Sequence, residues 1–136
     1  MTAPLLDTNI LVYAFTDDLR SATAQTLLSE PFILSVQALN EFANVAWRKL
    51  GMNWAEIRLA IGDLGTLATA IVPVDKECNS LALDLAARYN FSVFDALMIA
   101  TALQAGSERC FSEDMQHGLV VDGRLTILNP FLNLPA

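Results

Sequence analysis

Long apolar runs are missing from this chain: none approaches the ~20 residues a membrane-spanning helix needs, so no bilayer-crossing helix and no membrane partner are expected. No basic segment precedes an apolar one at the N-terminus, so no export signal is expected either. Cysteine is scarce. Cys78 and Cys110 stand far apart and form no CxxC pair. Without an export signal they read as buried thiols rather than a disulfide, and the cytoplasm is the expected compartment. His117 is the only histidine. With no GxSxG either, the chain does not have the makings of a Ser-His-Asp hydrolase. Within Gln116-His117-Gly118 the histidine reads as a surface turn residue. The glycines form neither a P-loop nor a GxGxxG, which argues against a nucleotide cofactor. Positive charge is short as well. Eight Lys and Arg face fifteen Asp and Glu, a net charge of −7, which argues against gripping nucleic acid through a broad basic patch. There is no repeat, low-complexity tract or linker.

What is present is an apolar-rich chain of ordinary domain size. It has 136 residues, 54% of them apolar and 17% charged, more core-forming material than such a domain needs. The surplus is available for a subunit interface or a partner groove. Strand-like and helix-like segments alternate. Strands are expected over residues 4–7, 32–34, 70–74, 109–111 and 126–128. Helices are expected over 9–15, 20–29, 36–50, 54–68, 76–89 and 93–106. Ser35 is placed to cap the helix from 36, and Gly51 sits where a C-terminal cap belongs. Pro73 puts its strand at an edge or an end. Asp122-Gly123 signals a turn. Trp47, Trp54 and the seven phenylalanines read as core rather than as base-stacking platforms. Alternation of this kind predicts one domain built as a parallel α/β sandwich, with a helix in each crossover.

Four acids stand out by position. Asp7 follows the apolar Leu5-Leu6 directly, at the C-terminal end of a buried strand. A carboxylate there is costly unless hydrogen bonds or a cation compensate, and ligand sites of open α/β sheets lie just outside such strand ends. Asp95 is the one charge in Phe94-Asp95-Ala96-Leu97-Met98-Ile99-Ala100, an otherwise apolar helix. With Ser92 it has capping-box spacing, so capping and chemistry are both open to it. Glu41 lies at the boundary between a polar row (Gln37, Asn44, Arg48) and an apolar row (Ala38, Val45) of its helix. Asp114 follows the strand 109–111 through Ser112-Glu113. Each alone has an ordinary structural explanation. Together they suit one crevice, where mutual repulsion is relieved by divalent cations. Hard oxygen ligands select Mg²⁺ or Mn²⁺, and two such ions bring the net charge to about −3. A pair of ions can activate water and stabilise the leaving oxygen of a phosphodiester.

In these segments the chain resembles the PIN-domain family, and within it the VapC-like toxin ribonucleases of type II toxin–antitoxin systems. The match is carried by Leu6-Asp7-Thr8-Asn9-Ile10-Leu11 with Tyr13, by Ser35 to Glu41 with Asn40-Glu41-Phe42, by Phe94-Asp95-Ala96-Leu97, by Ser112-Glu113-Asp114-Met115-Gln116-His117-Gly118, and by the closing Leu128-Asn129-Pro130-Phe131. The resemblance implies a PIN-like α/β/α sandwich over residues 1–136, with a short, mainly parallel central sheet of four to five strands wrapped by helices. It implies that Asp7, Glu41, Asp95 and Asp114 are the catalytic, Mg²⁺- or Mn²⁺-holding acids, and that Thr8, Asn9 and Ser112 orient them. Glu113 stands behind the cluster as a further support. It implies hydrolysis of RNA by water activated at the metal, a homodimer, and a cognate antitoxin whose segment fills the groove near the acids. Two other readings remain open: a PIN-type nuclease of RNA processing with no toxin role, and a catalytically silent interaction module in which the acids are caps and boundary charges.

Overall fold

A computed structural model describes residues 2–134. Six strands form one sheet: β1 (Leu5–Leu6), β2 (Ile33–Ser35), β3 (Ala70–Val72), β4 (Arg109–Phe111), β5 (Val120–Val121) and β6 (Leu125–Leu128), in the order β3-β2-β1-β4-β6-β5. All neighbours run parallel except β5 against β6. The helices are α1 (Thr8–Ala14), α2 (Ser21–Leu28), α3 (Val36–Lys49), α4 (Trp54–Leu67), α5 (Lys76–Tyr89) and α6 (Val93–Gln104). The fold is thus the expected mainly parallel α/β arrangement flanked by helices, with six strands in place of four to five.

The additional strand, β5, is two residues long, too short to show a period. It is held by a tight hairpin. Asp122 and Gly123 have φ of 53° and 65°, the two positive angles a type I′ turn requires, and that turn matches the twist of an antiparallel pair. The Arg124 N–H closes it on the Val121 carbonyl at 3.0 Å. At the other edge β3 is largely exposed and ends at Pro73, which donates no ladder bond.

Local chemistry sets the helix boundaries. Ser35 accepts from the Gln37 N–H to start α3, and Gly51, at φ +67°, follows its end. Asn53 and Glu56 close a full capping box on α4, which offsets the weakness of Gly62 and Gly65 inside that helix. α6 is buried on nearly every face from Ala96 to Leu103, as an all-apolar helix must be. It packs with Leu5, Leu6, Phe32, Leu34 and Phe42 in the core. Cys78 and Cys110 are buried, unbridged thiols, as expected. Among the described residues no helix is long and apolar enough to cross a membrane.

Trp47 and Trp54 depart from the expected core positions: they are 48% and 58% exposed. They stack on one another with ring centroids 4.3 Å apart and planes 6° from parallel. Hydrophobic character alone did not reveal this, because amphipathic indoles at the junction of two helices have each other as partners.

The strand order changes direction at the centre of the sheet. β2 lies on one side of β1 and β4 on the other, so the crossovers leaving the two central strands diverge. A crevice opens at their C-terminal ends, the usual binding position in a sheet of this kind.

Candidate active site

Asp7 stands in that crevice. The chain leaves β1 and turns at once into α1, with Asp7 as the N-cap. Its backbone N–H still belongs to the sheet, donating to the Phe111 carbonyl of β4 at 2.9 Å. The residue is 5% exposed, and both carboxylate oxygens are occupied. Oδ1 accepts from the Thr8 N–H at 2.8 Å. Oδ2 accepts from the Ser112 hydroxyl at 2.7 Å and from the Asn9 amide at 3.3 Å.

The other acids reach the same place from separate elements. A cleft of about 440 Å³ is lined by Asp7, Glu41, Asp95 and Asp114, together with Thr8, Asn9, Tyr13 and Asn44. Glu41 comes from the middle of α3, and the Thr8 hydroxyl donates to its Oε2 at 2.7 Å. Asp114 comes from the loop after β4, where the Asn9 amide donates to its Oδ2 at 3.1 Å. Ser112 accepts from the Asp114 and Met115 N–H groups, shaping that loop as a small turn. Asp95 is in the first turn of α6. Its N–H donates to Ser92 Oγ at 3.1 Å, but only this half of a capping box forms. The carboxylate lines the cleft instead of returning to the Ser92 backbone. The capping and cleft positions are therefore compatible in one residue.

Thr8, Asn9 and Ser112 thus each tie together pieces of chain distant in sequence. Glu113 behaves differently. Its carboxylate turns to the Tyr13 hydroxyl and the Arg20 guanidinium, outside the cleft lining. Its N–H donates to Asn9 Oδ1 at 3.2 Å, so it holds the amide that holds two of the acids. Burial, then the Glu113 carboxylate, push the Tyr13 phenol up to about 12, which keeps it a hydrogen-bond donor. His117 stays at the surface, its ring nitrogen accepting from the Asn129 N–H. Arg20 and Asn44 were not picked out as site residues from the sequence. Asn44 carried a signal, since it stands three residues from Glu41 on the same helical stripe. Arg20 carried none, because its contacts exist only in the folded chain.

The electrostatics follow from this geometry. Burial raises the Asp7 carboxyl to about 6; the bonds from Ser112 and Thr8 oppose this, and the charges of Asp95 and Glu41 add to it. Asp95 is raised by burial and then by the Asp114 charge. The folded state therefore binds a proton at Asp7 more readily than the unfolded chain does. Stability of the metal-free protein is expected to rise as pH falls from 7 through about 6, and to level off near the ordinary value of 3.8. The gap is worth on the order of 3 kcal/mol. Urea melts in EDTA at pH 7 and pH 5 test this. The protein should be more stable at pH 5, and the difference should shrink in Asp7→Asn. A steady loss of stability on acidification would contradict the shared electrostatics.

A carboxylate-lined cleft of this kind has a donor set of hard oxygens, which fits Mg²⁺ or Mn²⁺ rather than a soft metal. The acids are not drawn into a closed cage. Among the described residues no three His, Cys, Asp or Glu side chains cluster tightly enough to enclose an ion by themselves.

Comparisons with known proteins bear on the same segments. A family model described as PIN domain matches residues 5–117. No curated protein matches the chain significantly. Among solved structures, a toxin–antitoxin complex from Klebsiella pneumoniae aligns over 94% of this chain and 98% of its own, at 20% identity and a TM-score of 0.72. VapC20 of Mycobacterium tuberculosis, a sarcin-ricin loop cleaving toxin, aligns over 82% and 92%, at 22% identity and 0.69. VapBC2 of Rickettsia felis, bound to a DNA fragment from its promoter, aligns over 94% and 98%, at 16% identity and 0.67. At these identities the structures speak for the fold. The family match runs from the first strand past the last acid of the cleft, and on that ground the chain belongs to the PIN domain family.

Proposed function

We propose that the protein is an Mg²⁺- or Mn²⁺-dependent endoribonuclease, the toxin of a toxin–antitoxin pair. The observation that carries the reading is that four carboxylates from four separate segments line one cleft at the C-terminal ends of β1 and β4. The toxin role is supported by the likeness to solved toxin structures, one of them described as cleaving the sarcin-ricin loop. A cytoplasmic homodimer held inactive by a cognate antitoxin completes the proposal.

The chain's own residues prepare the chemistry. Asp7 would be the principal cation ligand, because its burial makes an uncompensated charge costly and its bonds leave it little freedom. Asp95, Glu41 and Asp114 would complete the site. Thr8 fixes Glu41, while Asn9 holds Asp7 and Asp114 in register. A divalent cation bound there supplies activation of water and neutralisation of charge on the phosphodiester. Asn44 and Tyr13 line the cleft beside the acids and offer neutral polar groups to the substrate.

The test is cleavage of labelled single-stranded RNA. Mg²⁺ or Mn²⁺ should support it and EDTA should stop it. Cleavage that continues undiminished in EDTA would reject the metal-dependent reading. Growth arrest on expression, relieved by a neighbouring small gene, would separate the toxin from a processing nuclease.

A further inference from the structure

An acidic nuclease must still hold RNA. Of the eight Lys and Arg, Arg20 is tied to Glu113, and Arg88 to Asp84 and Asp122. The other six make no ion pair among the described residues: Lys76, Arg109 and Arg124 lie elsewhere in the fold, while Arg48, Lys49 and Arg58, all exposed, belong to α3 and α4. Arg48 is next to Trp47 on α3, and Arg58 follows Trp54 by one turn of α4. Arg58 shares with Trp54 the lining of a shallow groove between α3 and α4. The carboxylate next to Trp54, Glu56, is engaged by the Asn53 N–H at 3.0 Å.

The groove and the cleft share no lining residue, but α3 runs between them. Glu41, Asn44 and Arg48 follow one another at helical spacing on α3, and Glu41 and Asn44 line the cleft. Arg48 stands on the same stripe about 10 Å along the axis from Glu41. Trp47 flanks that stripe, and each indole keeps about half of its surface in water. Unpaired cations beside stacked aromatic faces are the combination that holds single-stranded nucleic acid without reading its sequence.

We infer that the Trp47–Trp54 pair with Arg48 and Arg58 forms an RNA subsite, where bases stack on the indoles and the guanidinium groups contact phosphates of the strand that runs out of the acidic cleft along α3. The inference rests on the nuclease reading of the cleft for the direction of the strand. It gives a chain of net charge −7 one place to contact a polyanion, where two unpaired guanidinium groups stand near exposed indoles.

Trp47 and Trp54 are the chain's two tryptophans, so intrinsic tryptophan emission reports on this pair alone. Metal-free protein in EDTA is titrated with oligo-uridine RNA. Saturable quenching is expected, and Trp54→Ala should weaken binding, measured by anisotropy of labelled RNA, by about 5- to 100-fold. Arg48→Ala, an exposed change that leaves the packing untouched, should reduce the slope of log affinity against log salt by about 0.7. With Mn²⁺ present, both variants should raise KM for a long single strand more than they lower kcat. If the wild-type protein cleaves RNA while its emission, KM and salt slope ignore these residues, the subsite is wrong and the nuclease stands. If quenching occurs and no RNA is cleaved, the nuclease reading fails and the stacking surface stands. Emission that instead changes with protein concentration, without RNA, would assign the pair to contact between copies and overturn the inference.

Discussion

Asp7→Asn should lower RNA cleavage by about 10³-fold or more while the chain stays folded. Asparagine keeps the shape of the side chain and an oxygen to accept from the Thr8 N–H, now 2.8 Å from Oδ1. What it removes is charge at the most buried acid of the cleft. On the proposed function a cation held there would supply several kcal/mol of charge stabilisation, and about 4 kcal/mol corresponds to about 10³ in rate. Asn9→Ala makes the contrast. Asn9 bridges Asp7 and Asp114 and receives the Glu113 N–H, so its loss loosens the acids without removing one. An outer residue of that kind is worth about 10- to 100-fold. A normal rate in Asp7→Asn, or a larger loss in Asn9→Ala than in Asp7→Asn, would contradict the assigned roles.

Phe42→Ala should cost about 3–5 kcal/mol of stability, the range for truncating a buried aromatic. Phe42 is fully buried and packs against Phe15 with ring centroids 5.2 Å apart. It thereby joins the end of α1 to α3, the helix that presents Glu41 and Asn44. For a domain of this size the melting temperature should fall by about 10–20 °C. Phe42→Leu fills more of the space and should cost clearly less. Thermal and urea melts of the two variants settle the point. A fall of only a few degrees in Phe42→Ala would mean that α3 is held mainly by other contacts. The cleft's geometry would then not depend on this joint.

The sequence exposes the fold wherever pattern and cap agree. Ser35, Ser92 and Gly51 mark helix ends within a residue or so, because capping is a local effect. The continuous apolar run after Asp95 announces a buried helix for the same reason. β5 escaped because two residues carry no period, although its Asp122-Gly123 turn was readable. The acids were readable as a set. Two follow strands and one opens a buried helix, and the shared edge of a parallel sheet follows from alternating elements. The interior of the site was less so. That Asn9 also reaches Asp114, or that Glu113 turns to Tyr13 and Arg20, depends on residues about a hundred positions apart and has no local signature. The tryptophans were misjudged because aromatic content is a guide to burial only on average. Trp47 and Trp54 shield one another and leave their remaining surface in water.

The location of a bound cation tests the shared acidic cleft most directly. Crystals equilibrated with Mn²⁺ and measured at its absorption edge should show anomalous density inside the cleft bounded by Asp7, Glu41, Asp95 and Asp114, and none there for Asp7→Asn. Saturating Mn²⁺ that leaves this cleft empty, or that binds only at some other face of the molecule, would contradict it.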